Sequence, residues 1–168
     1  QTRMFGPDTA QDDVRKRRFL TNLEGVGVNG SRVFVGKRQF LTKDAMDLIN
    51  WIDSNPNAVW GILTSCEREL VLARLGATGL PVPEVLITAN DVEHGKPHPE
   101  PYLKGAAALA EPGDDVYVIE DAPAGVKSGL DAGATVLAVT TSHDASKLTH
   151  ATEIVHTLTG VLEYLKSR

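Results

Sequence analysis

Apolar and polar positions alternate along most of this chain with two different periods. Ala45, Ile49 and Ile52, with Met46 and Leu48 beside them, make one helical stripe that Ser54-Asn55-Pro56 ends. Val59 to Leu63 is an apolar run of strand length, and Glu67 to Gly76 reads as a helix burying Leu70, Val71 and Leu75 with Gly76 as its cap. The pattern then predicts a strand over 84–87 and a helix over 99–110 with Leu103, Ala106, Ala107 and Ala110 inward. A strand over 116–119, a helix over 124–132 and strands over 135–139 and 153–155 follow. A last helix buries Leu158, Val161, Leu162 and Leu165. Short apolar strands alternating with amphipathic helices imply parallel pairing, with helices on both faces. The expected fold is a doubly wound parallel α/β sheet in residues 40–168.

Residues 1–39 have another character. They are polar and glycine-containing, with basic residues at 15–18 behind Asp12 and Asp13, which reads as a short exposed helix. Gly25, Gly27 and Gly30 then precede a short β-prone run, Arg32 to Val35.

Composition narrows the function classes. A net charge of −5 and a pI near 5.5 argue against a surface built for nucleic acid or anionic lipid, although a local phosphate site needs only a few donors. One cysteine, Cys66, excludes an intrachain disulfide, and no apolar run approaches a membrane span. The expectation is a cytoplasmic protein without nucleic-acid or membrane partners. Trp51 and Trp60 read as packing residues, and the histidines at 94, 98, 143, 150 and 156 as loop or surface residues without metal spacing.

In a doubly wound sheet the chemistry lies beyond the carboxyl ends of the strands. Thr64 and Ser65 follow the first of the strands above; their hydroxyls suit a phosphoryl oxygen, or merely cap the next helix. Lys96 stands in a stiff Gly-Lys-Pro loop after the second, where a fixed ammonium would face phosphate. Glu120 and Asp121 end the third; adjacent carboxylates there are costly unless paired or bound to a hard cation such as magnesium.

The stretches Leu63-Thr64-Ser65, Ile87 to Val92, Gly95 to Leu103 and Glu120 to Val126 resemble the haloacid dehalogenase-like hydrolases, above all their sugar- and polyol-phosphate phosphatases. The resemblance implies that Thr64 and Ser65 bind the transferring phosphoryl group, Lys96 stabilises its charge, and Glu120 and Asp121 hold Mg2+. It implies an aspartyl-phosphate route to hydrolysis of a small phosphorylated metabolite. The nucleophile of that family lies in Asp-x-Asp-Gly-Thr after an N-terminal strand, and this sequence is not found here. Residues 1–39 are therefore expected to be the remnant of a helical cap and linker, with the first strand and its aspartate missing upstream. The chain would be an inactive, destabilised piece of an active phosphatase. Other readings are a regulatory phosphate-binding domain that has lost its nucleophile, or a sugar-phosphate mutase or dehalogenase of the same superfamily.

Overall fold

The computed structural model describes residues 17–21, 26–29, 32–35 and 42–168, with side chains from residue 43 onward. These residues hold eight strands and five α-helices, which alternate from α1 to β7. The strands are β1 (Arg17–Thr21), β2 (Val26–Asn29), β3 (Arg32–Val35), β4 (Ala58–Leu63), β5 (Val85–Ile87), β6 (Asp115–Glu120), β7 (Thr135–Val139) and β8 (Glu153–Val155). The helices are α1 (Thr42–Asp53), α2 (Arg68–Thr78), α3 (Glu100–Leu109), α4 (Pro123–Asp131) and α5 (Leu158–Lys166). Six strands form a wholly parallel sheet in the order β5-β4-β1-β6-β7-β8, and β2 and β3 form an antiparallel pair.

Strand side chains point alternately to opposite faces, so adjacent apolar residues in one strand serve two cores. Tyr117 and Ile119 of β6 and Leu137 and Val139 of β7 pack with Leu48 and Ile52 of α1 and Val161 and Leu165 of α5. Their alternates Val118, Val136 and Ala138 pack with Tyr102 of α3 and Val126 of α4 on the other face. A third cluster joins Ile62 of β4 and Leu86 of β5 to Val71 and Leu75 of α2. Helix α4 lies close on the sheet because of Gly129, where a Cβ would come within 2.9 Å of Val136 and 3.0 Å of Val118.

The main departure from the sequence reading is β1. Arg17–Thr21 pairs with β4 on one side and β6 on the other, the central place expected to be missing. A basic cluster hides this strand, because only Phe19 and Leu20 carry an apolar signal. The described residues between 17 and 35 are strands, so neither the helix predicted over the basic cluster nor a helical cap remnant is found among them. Residues 12–16 lie outside the described residues.

Smaller differences have simple causes. Helix α2 runs past Gly76 and is ended by Gly79, whose φ of 70° is the left-handed conformation a terminating residue needs. Leu70 and Leu103 are exposed, because α2 buries Val71 and Leu75 and α3 buries Pro101, Tyr102 and Gly105. In α2 the predicted face is right but narrower, since Val71 and Leu75 are buried and Leu70 is not; in α3 the period is right and the buried face is rotated by about one residue.

Candidate phosphate-binding site

The carboxyl ends of β4, β1 and β6 lie side by side, and the loops that follow β4, β5, β6 and β7 deliver polar side chains there. Lys96 links them. Its side chain is 3% exposed, and its Nζ donates to Glu120 Oε1 at 2.6 Å and to the Leu63 carbonyl at 3.1 Å. It also stands 5.0 Å from the centre of the Tyr102 ring. The ammonium thus joins the tip of β4, beside Thr64, to the tip of β6.

The Glu120 side chain is fully buried and fully engaged. Oε1 accepts from Lys96 and, at 2.6 Å, from the Tyr102 hydroxyl; Oε2 accepts from the backbone amides of Asp121 and Ala122 at 3.0 and 3.3 Å. A buried charge needs such company. The same carboxylate explains Gly125, because a Cβ there would fall 1.9–2.2 Å from its atoms. The Glu-Asp-x-Pro-x-Gly spacing therefore lets α4 start directly over Glu120.

Asp121 is buried with its Oδ2 accepting from Thr141 Oγ1 at 3.1 Å, and its carbonyl accepts from Ser142 Oγ at 2.9 Å. His143 Nδ1 lies 3.0 Å from the same carbonyl. Thr64 is buried and its Oγ1 accepts from the Cys66 amide at 3.1 Å, whereas Ser65 is exposed. Neither caps α2: the residue before that helix is Glu67, and the Arg68 amide donates instead to Asn90 Oδ1 at 3.0 Å.

Two acidic residues organise the β5 loop. Asp91 Oδ2 accepts from the Thr88 amide and hydroxyl and from Arg68 Nη2 at 2.8, 2.6 and 2.8 Å. Burial alone would raise the pKa of Asp91, but the Thr88 and Arg68 donors outweigh it and hold the carboxyl below its ordinary value. Glu100 accepts from the amides of Glu93 and His94, both at 2.9 Å, and pairs with Lys104. The Glu93 amide above all, then Lys104, lower its pKa to about 2.

The family model of the haloacid dehalogenase-like hydrolases matches residues 8–133. The chain belongs to this family. A glycerol-1-phosphate phosphohydrolase of Saccharomyces cerevisiae is 34% identical over 147 residues, which cover 83% of this chain and 55% of that protein. Hexitol phosphatase A of Escherichia coli is 44% identical over 99 residues, 59% of this chain and 46% of that protein. A solved structure of a hydrolase from Pseudomonas syringae superposes with a TM-score of 0.66 at 26% identity, covering 73% of this chain and 58% of that one. This family member thus spans about half the length of the curated relatives it matches.

Of the residues singled out in the sequence, the structure brings Lys96 and Glu120 into direct contact, with Thr64 and Asp121 next in the chain to the groups Lys96 touches. Four residues with a part in the site are not singled out by sequence reasoning. Tyr102 was legible as the one aromatic in an alanine-rich helix that closely follows Lys96. Thr141 and Ser142 repeat, after β7, the paired hydroxyls that draw notice to Thr64 and Ser65. The small residues after Asp121 do signal a close approach of the next helix, but that Gly125 makes room for Glu120 is visible only in the fold.

Proposed function

We propose that this is the site of a phosphomonoester hydrolase for small sugar or polyol phosphates, retained here as a phosphate grip without its nucleophile. The observation that carries the proposal is the buried Lys96 ammonium, held between the Leu63 carbonyl and Glu120 at the carboxyl ends of the strands. Residues matching phosphatases of small polyol phosphates, the glycerol-1-phosphate and hexitol enzymes above, support the substrate class.

In this reading Lys96 offsets the charge of a bound phosphoryl group, with the hydroxyl of Thr64 and, at the mouth, of Ser65 as hydrogen-bond donors. Glu120 holds Lys96 in place through the contacts described above, so its carboxylate is already taken and is a poor candidate for a metal ligand. Asp121 and its hard oxygens fit magnesium better, steadied by Thr141. Bound there, the ion would supply further positive charge against the phosphoryl oxygens.

The position of β1 sharpens the question of the nucleophile. Thr21 is partnered by Ile62 and Ile119, one residue before Leu63 and Glu120, the two groups that Lys96 contacts. The residues next in sequence are Asn22-Leu23-Glu24-Gly25. Against the family's Asp-x-Asp-Gly this reads with an amide in place of the first aspartate and a longer acid in place of the second. A carboxamide does not form an acyl phosphate, so the chain would bind phosphate without turning it over. This favours the reading as a phosphate-binding domain that has lost its nucleophile.

Calorimetric titration of the chain with glycerol phosphate in magnesium tests the grip. The double variant Lys96→Met, Glu120→Gln removes both buried charges together and so avoids stranding either one. It should lower affinity by about 10- to 100-fold, the worth of a charged hydrogen bond. Equal binding by a folded double variant would refute the role given to Lys96.

A further inference from the structure

We propose that His94, His98 and Glu100 form a binding site for a borderline divalent transition metal of the zinc class. The sequence shows no metal spacing among the histidines, but the loop before α3 folds back on the first residue of that helix, so that one ligand atom each from His94, His98 and Glu100 lies within 4.8 Å of the others. The two imidazole centres are 4.8 Å apart. Two imidazoles and a carboxylate suit zinc and its neighbours, whereas magnesium prefers an all-oxygen shell.

The backbone is already arranged for this. The amides of Glu93 and His94 donate to Glu100, the His98 amide donates to the Gly95 carbonyl at 3.1 Å, and Ser128 Oγ donates to the His98 carbonyl at 2.6 Å. Both imidazoles are exposed, so their rings turn at little cost.

His94 Nδ1 lies 3.1 Å from Glu100 Oε2, close to the separation of about 3.3 Å between two ligands on a tetrahedral ion with bonds near 2.0–2.1 Å. The metal takes the place of the proton between these two atoms, and that proton moves to the outer nitrogen of the His94 ring. His98 Nδ1, which now accepts from the Glu100 amide at 3.2 Å, gives up that long bond to become the third ligand. Glu100 Oε1 stays paired with Lys104 at 2.9 Å, and water completes the shell from the open side. The site stands on the loop that presents Lys96 and does not depend on the proposed phosphate chemistry.

Titration of the purified chain with zinc chloride in chelator-free buffer, followed by calorimetry, tests it. Wild type should take up a single tight equivalent that excess magnesium does not displace. His94→Ala and His98→Ala should each weaken uptake by about tenfold or more, while His150→Ala leaves it unchanged. Cobalt substitution should give the visible bands of a tetrahedral ion in wild type and lose them in His98→Ala. No zinc uptake by folded wild type, or undiminished affinity in the His94→Ala, His98→Ala double variant, would overturn the proposal.

Discussion

Glu120 sits at the end of a strand whose last four residues are all buried, and every contact it makes is one the fold had to supply. Lys96, Tyr102 and two backbone amides surround its carboxylate, and α4 passes over it only because residue 125 has no side chain. Gly125→Ala should therefore act as an overpacking change against a charged group that has nowhere to move. A loss of about 1–3 kcal/mol or more in denaturant unfolding is expected. A neutral result would mean that Glu120 takes another position. Asp91 makes a pH-dependent contribution in the adjacent loop. Its folded pKa lies below the ordinary carboxylate value, so the stabilisation is present above that value and is lost as pH falls through the folded pKa. Acid unfolding of Asp91→Asn should show a shallower fall in stability than wild type below about pH 4, the ordinary aspartate range.

At the scale of elements, periodicity was enough for residues 42–168 because each strand there is apolar and each helix has a stripe. β7 and β8 were legible to the residue, and β4, β5 and β6 to within one. Helix faces were less legible: Leu103 looks like a core residue, yet Tyr102 beside it is the one buried. Lys96 and the acid pair could be read from sequence as strand-end residues, but their roles could not. Two adjacent carboxylates look equivalent in a string of letters; in the fold one turns under α4 to meet Lys96 and the other meets Thr141. β1 was illegible for a different reason. Arg17 and Arg18 stand at its beginning, and its central position comes from pairing on both sides rather than from its own composition. Hydrogen exchange tests that position. Amides of residues 18–21 should exchange as slowly as those of β4 and β6. Rapid exchange of 18–21 beside protected β4 and β6 would mean that these residues do not complete the sheet.

For the whole molecule, the sheet order brings three groups of distinct chemistry to the carboxyl ends of the strands: hydroxyls after β4, an ammonium from the β5 loop and carboxylates where β6 ends. That convergence explains why the chain resembles phosphatases at motifs far apart in sequence. In the function proposed above, holding phosphate and hydrolysing it come apart: the first rests on Lys96 and its neighbours, and the second would need an aspartate after β1, where the sequence has Asn22. The decisive experiment is phosphate release from glycerol phosphate and hexitol phosphates by the purified chain in magnesium. No release above the protein-free blank is expected, under conditions where calorimetry detects binding. Release that the Lys96→Met, Glu120→Gln variant abolishes would refute the separation, because it would require a nucleophile in the chain as it stands.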